Sequence, residues 1–179
     1  MNDEDDRRLV RRCRGGERAA FEQLVVRYQK PVFNAALRLL RDPEDASDVA
    51  QTTFLKAFEH LGKYNPDFKF YSWLYRIAIN EALDVLNSRT PADGISDEEP
   101  DGQPGPERRA EGEQMGRAIE DALMRIKPDL RTVIVLRHFM HLSYEDMGEI
   151  LMLPEKTVKS RLHSARQLMR DQLFQYAVS

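Results

Sequence analysis

One cysteine, Cys13, is the whole thiol content of this 179-residue chain. A single thiol excludes an internal disulfide framework and favours a reducing, cytoplasmic setting. The four histidines, His60, His138, His141 and His163, are scattered and form no metal motif with paired ligands. Also missing are a glycine-rich phosphate cradle and a nucleophile elbow. Together these absences argue against an enzyme and against any bound metal or cofactor. No apolar run approaches the roughly 20 residues that cross a bilayer. The opening MNDEDDRRLVRR is charged and lacks the apolar core of a signal peptide. An excess of positive charge is lacking too: the formal net charge is -3. Coating nucleic acid by bulk charge is therefore excluded, whereas reading it through a local basic face is not.

What is present is helix. No strand alternation and no internal repeat occur, and the chain divides into three parts. Residues 1–88 carry apolar positions at helical spacing, first Phe21, Leu24, Val25, Tyr28 and Val32, with a kink expected at Pro31. Asp42-Pro43-Glu44 has the form of a helix start. Val49, Phe54, Leu55, Phe58 and Leu61 continue that helix until Gly62 is expected to end it. A loop over Lys63 to Lys69 leads to a helix expected from Phe70 to Asn87. Residues 89–112 are rich in Pro, Gly and acids and too poor in apolar groups to fold alone, which predicts a flexible acidic linker. Residues 113–179 are helical again, with Pro128 in a first turn ahead of Leu130, Val133, Ile134 and Leu136. The expected architecture is all-α: two small helical domains on a flexible acidic linker, the second a helix-turn-helix.

That helix-turn-helix lies between Leu142 and Arg170. Ser143 and Asp146 stand at capping-box spacing. Tyr144, Met147, Ile150 and Leu151 give the first helix an apolar face, Met152-Leu153-Pro154 makes the turn, and a second helix starts near Glu155 or Lys156. At about 100° per residue, Val158, Leu162, Ala165 and Met169 form one stripe. Lys156, Lys159, Ser160, His163, Gln167 and Arg170 fall on the other side, and no acid occurs between Lys156 and Arg170. A helix with an apolar back and a basic, hydrogen-bonding front suits the DNA major groove. By charge pattern alone, an amphipathic hairpin with a solvated face fits as well.

A second concentration of unusual residues is YNPDFKFYSWLYRIAIN, from Tyr64 to Asn80. Aromatic faces stack on unpaired bases while cations hold the backbone, at roughly 1–3 kcal/mol per base. Lys69, Phe70, Tyr71, Trp73 and Arg76 supply both, and Asn80, in an otherwise apolar helix, is a candidate for a base pocket. The competing reading is that the aromatic residues, Trp73 above all, are core.

The run DPEDASDVAQTTFLKAFEHLGKYNPDFKFYSWLYRIAINEALDVLNSR resembles the promoter-melting domain of extracytoplasmic-function sigma factors, through DVAQxxFLKAF and WLYRIAxN. LRTVIVLRHFMHLSYEDMGEILMLPEKTVKSRLHSARQLMR is similar to the second domain of the same family. The two motifs stand in the family's order and cover about Arg18 to Leu173. The resemblance implies a subunit that joins core RNA polymerase and directs it to promoters. Asp45, Asp48, Gln51, Phe54 and Leu55 would dock on the coiled coil of the largest polymerase subunit. Lys69 to Trp73 and Asn80 would read the melted −10 element. Thr157, Lys159, Ser160, His163 and Arg166 would face duplex −35 DNA, with Lys156, Gln167 and Arg170 beside them. The acidic linker would thread the polymerase channels that later hold RNA, and an anti-sigma factor is a typical further partner.

The chain departs from the family pattern in places. Thr52 stands where an acid is usual, and phosphorylation of Thr52 or Thr53 would return a negative charge there. Met152 and Lys156 occupy common glycine positions of the turn, and Ser164 a common basic one. A conventional helix-turn-helix repressor or activator is the alternative, but it leaves the aromatic block and the linker without a purpose.

Overall fold

The computed structural model describes residues 3–89 and 110–177. The acidic segment expected as a linker lies outside the described residues, apart from its first residue, Arg89, which ends a helix, and its last three, which open another. The described residues are helical, joined by short turns.

Four helices make the first unit. Helix α1 (Asp3–Arg14) has four acids in its first turn and arginines in its last, the polarity that the helix dipole favours. Helix α2 (Arg18–Leu40) runs through Pro31 without ending. Proline removes one backbone bond, but Leu24, Tyr28, Val32, Ala35 and Leu39 are buried on either side of it, and packing outweighs that loss. Helix α3 (Pro43–His60) starts where the sequence places it. The Asp42 carboxylate accepts from the amides of Glu44 at 2.8 Å and Asp45 at 3.1 Å, with Pro43 in the first turn. It ends at His60, two residues before Gly62, and tightens into a 3-10 turn over Leu61–Lys63. Helix α4 (Phe70–Arg89) follows.

The second unit comprises α5 (Ala110–Met124), α6 (Pro128–Ile134), α7 (Tyr144–Leu151) and α8 (Glu155–Ala177). A π-helical turn over Val135–Phe139 prolongs α6. Leu123, Val133, Leu136, Met147, Ile150, Val158, Leu162 and Ala165 fill its core. Each such large side chain contributes roughly 1.5–3 kcal/mol by leaving water.

Arg131 of α6 is buried in this unit. Its guanidinium donates to the carbonyls of Leu123 at 3.1 Å, Met124 at 2.8 Å and Ile126 at 3.2 Å, where α5 ends, and to Leu39 of α2 at 2.5 Å. Helix C-termini expose carbonyls that lack partners, so one cation closes two helix ends. Burial lowers its pKa to about 10, which leaves it charged at neutral pH.

The Leu39 bond crosses between the units, and it is not alone. The Arg38 guanidinium lies 3.8 Å from the centre of the Phe139 ring, and Arg41 pairs with Asp121. The sequence suggests two bodies separated by a tether; the structure sets them face to face, α4 against α7.

Candidate nucleic-acid interface

The helix-turn-helix is built by local chemistry. The Ser143 hydroxyl accepts from the Asp146 amide at 3.1 Å, and the Asp146 carboxylate accepts from the Ser143 amide at 3.3 Å, a reciprocal capping box. Helix α7 stops at Met152, whose φ is 54°, the left-handed region where a Cβ is strained. The Leu153 amide then bonds back to the Gly148 carbonyl at 3.0 Å. This tight return explains Gly148: a Cβ there would lie 2.9 Å from the Leu153 oxygen. Met152 is 70 % exposed and loses little contact if removed. Met152→Gly is therefore expected to stabilise the protein by about 1 kcal/mol, and Gly148→Ala to destabilise it by at least about 1 kcal/mol, in thermal or urea unfolding. Unfolding midpoints that do not separate in opposite directions would refute this account of the turn.

Helix α8 buries Val158, Leu162 and Ala165 and exposes Lys156, Ser160, His163, Ser164 and Gln167. Thr157 is half-buried near its start. Two of the flanking candidates, Lys159 and Arg166, already have partners. Lys159 pairs with Glu155 at 2.5 Å and lies 5.2 Å from the Tyr144 ring centre. Arg166 donates to His138 Nε2 at 3.3 Å and, with Arg170, borders an apolar hollow lined by Phe139, Met169 and Leu173. Burial, then the charges of Arg166 and Arg137, lower the His138 pKa and keep that nitrogen an acceptor.

The aromatic block divides. Phe70 is wholly buried, with ring centres 5.8 Å from Tyr28, 5.7 Å from Tyr64 and 5.8 Å from Trp73. It belongs to the core, so its expected place among base-stacking residues is corrected. Trp73 is half-buried and stays at the edge of the same cluster. Asn80 is exposed, not enclosed among apolar side chains as its helix suggests, because it falls on the outer side of α4. Arg14 fixes the preceding loop: it donates to the carbonyls of Leu61 at 2.8 Å, Gly62 at 3.3 Å and Tyr64. Sequence spacing gave no sign of it, since an arginine at a helix end reads as a solvated charge.

The remaining three members of the set face α7. Asp146 Oδ1 accepts from Lys69 Nζ at 2.6 Å and from the Tyr71 hydroxyl at 2.7 Å. Arg76 donates to the Glu149 carbonyl at 2.7 Å. Burial would raise the Asp146 carboxyl, but the bonds from Lys69, Ser143 and Tyr71 outweigh it and hold its pKa at about 2. The stabilisation is present above the ordinary carboxylate range near 4 and is lost only as pH falls toward 2. Burial and Asp146 push Tyr71 up to about 12, and Asp146 raises Lys69, so neither releases its proton near neutrality.

On the far side of the first unit, α2 and α3 enclose an apolar groove of about 820 Å³. Phe21, Val25, Phe33, Phe54, Leu55 and Phe58 line it. Leu55 is 64 % and Phe58 46 % exposed, unusual for large apolar side chains unless something covers them. Gln51 and Asp48 are exposed beside it, while Asp45 is tied to Arg89. Thr52 is half-exposed; Thr53 is buried and donates to the Val49 carbonyl at 2.7 Å, so Thr53 offers no hydroxyl to a modifying enzyme.

Two family models fit this geometry: Sigma-70 region 2 matches residues 24–91 and Sigma-70, region 4 matches residues 116–169. The RNA polymerase sigma-H factor of Pseudomonas aeruginosa is 36 % identical, with 93 % of each chain aligned. The chain belongs to the extracytoplasmic-function sigma factors. The ECF RNA polymerase sigma-E factor of Haemophilus influenzae is 33 % identical over 94 % of this chain and 95 % of its own. SigW of Bacillus subtilis is 30 % identical over 93 % and 96 %. Among solved structures, CnrH in complex with the cytosolic domain of CnrY has a TM-score of 0.74 at 28 % identity, covering 94 % of this sigma factor and 97 % of that chain. The sigma factor RpoE of Bartonella quintana, in complex with the anti-sigma factor NepR, shares the fold, at a TM-score of 0.68 and 24 % identity over 86 % and 96 %. The region 2 match spans α4 and all of the groove but its edge at Phe21, and the region 4 match spans the helix-turn-helix. Helix α1, with Arg14, precedes both.

Proposed function

We propose that this sigma factor joins core RNA polymerase through the α2–α3 groove, reads duplex −35 DNA with α8, and opens the −10 element with the start of α4. The observation that carries the reading is the pairing of two surfaces on one chain: an uncovered apolar groove and an exposed recognition helix with no acid from Lys156 to Arg170. A repressor needs the second but has no use for the first.

The roles follow from the geometry. Phe54, Leu55 and Phe58 supply apolar area for the polymerase coiled coil, with Gln51 and Asp48 as its polar rim. Lys156, Ser160, His163 and Gln167 form the base-reading front of α8, while Lys159, Arg166 and Arg170 flank it and suit phosphates. Lys69, Tyr71, Trp73 and Arg76 hold and stack the melted strand, and Asn80 extends that surface along α4. No helix among the described residues is long and apolar enough to cross a membrane. The site of action is the cytoplasm, where core polymerase and promoters are, and an anti-sigma factor restrains the protein there.

Run-off transcription with bacterial core polymerase over a library of promoter fragments tests the reading. Transcripts should appear only when the protein is added, from fragments sharing two spaced elements. Duplex binding by the protein alone, with no transcripts, would favour the repressor or activator instead.

A further inference from the structure

We infer that Arg14 of α1 is a positioning residue for the −10 surface: from outside both family matches, it holds the loop before α4 in the shape that lets the melted strand be read. The inference rests on the assignment of Lys69, Tyr71, Trp73 and Arg76 to that strand, and it adds the part that fixes where their loop stands.

The Arg14 guanidinium meets three main-chain oxygens across the end of α3 and the turn after it. Nε and Nη2 donate to the Leu61 carbonyl at 3.0 and 2.8 Å, and Nη2 donates also to Gly62 at 3.3 Å and to Tyr64. A cation that completes a helix C-terminus explains the first two. Tyr64 lies beyond α3, and there the same group reaches into the loop itself. The guanidinium carbon also stands 5.8 Å from the centre of the Tyr64 ring.

From Tyr64 the fixing runs forward. Its hydroxyl donates to the Phe68 carbonyl, and burial pushes its pKa up to about 12, so it keeps that proton. Its ring centre lies 5.7 Å from Phe70 and 5.4 Å from Trp73, at the start of α4. Within the loop, the Asn65 side chain accepts from the Asp67 amide at 3.0 Å, and the Asn65 carbonyl accepts from the Phe68 amide at 3.2 Å. The loop is thus tied at its start, middle and end. It leaves Phe68, 44 % exposed, facing outward next to Lys69. A strand that meets a loop held this way does not have to order it first.

Arg14 is itself aimed by its surroundings. The Gly15 amide bonds back to the Arg11 carbonyl at 3.1 Å, and Gly16 turns the chain out of α1 with a φ of 96°. The buried Asp6 anchors α1 on α2 by accepting from Arg27 and the Tyr28 hydroxyl. Arg14 is exposed, so the loop depends on it more than the core does.

The test uses the full chain assembled with bacterial core polymerase and two single-stranded DNA probes. One is the −10 strand of a transcribed fragment, the other a scrambled strand of the same composition. Arg14→Gln should lower the preference for the matched strand about tenfold, because fewer loops stand in the reading shape. Its affinities for the scrambled strand, for core polymerase and for −35 duplex should stay at the wild-type value. Arg14→Lys should lose about threefold, since an ammonium lacks the fork that spans several carbonyls. It decides alone should the glutamine variant not fold. Arg12→Gln breaks the neighbouring pair with Glu17, not the loop's bonds, and should keep the full preference. A merely structural role would lower every affinity together and leave the ratio alone. That result overturns the inference, as does an equal loss of preference in Arg12→Gln. Failure of the sigma reading looks different: the wild type then gives no transcripts with core polymerase, and the positioning role falls with it. A wild type that transcribes, while Arg14→Gln keeps its ratio, loses the positioning role alone.

Discussion

Arg131→Ala is expected to lower the unfolding free energy by about 3–5 kcal/mol, measured by urea or thermal unfolding of the full chain. The substitution removes the donor for four carbonyls at once, buried ones at Leu39, Leu123 and Ile126 and a part-buried one at Met124. Each buried acceptor left without a partner costs about 1–3 kcal/mol, less whatever water recovers. The desolvation of the cation, visible in its lowered pKa, offsets part of that loss. Arg131→Lys should recover less than half, since one compact ammonium cannot span acceptors on two helix ends. An alanine variant within about 1 kcal/mol of wild type would mean that these carbonyls are satisfied without the guanidinium.

Leu55→Asp should have the largest effect on activity while leaving the fold alone. Leu55 is 64 % exposed, so its removal changes stability by no more than about 0.5 kcal/mol. In the proposed complex it meets the polymerase at the centre of the groove, beside Phe58, whose ring is edge-on to Phe21 at 5.0 Å. A buried carboxylate at such a centre should weaken core binding at least about a hundredfold. Competition with labelled wild-type protein for core polymerase measures this directly. Undiminished affinity would move the polymerase contact off α3.

Much of the second unit was legible in the sequence because its determinants are local. The Ser143–Asp146 box, the Met152 turn and the stripe of Val158, Leu162 and Ala165 all act within one or two helical turns. The start of α3 at Asp42-Pro43 was legible for the same reason. The first unit misled where periodicity alone had to decide depth. Phe70 and Asn80 share one helix, and only the packing of α2 against α4 makes the first core and the second surface. Pro31 does not end α2, since buried neighbours carry the helix through it. The contact between α4 and α7 was illegible altogether. Asp146 was already explained by capping α7, so nothing called for a second partner, and Lys69 stands 77 positions earlier in the chain. Arg131 was passed over because an arginine among apolar residues reads as the outward face of an amphipathic helix.

The partners of Arg131 are all main-chain oxygens. Substitution at Leu39, Leu123, Met124 or Ile126 can change the side chain but cannot delete the acceptor while the helix ends persist. A contact of this kind makes no demand on the identity of its partner positions, so they need not co-vary with residue 131. Drift on the surfaces around it can retune how firmly the two units meet, while this bolt stays fixed by one codon.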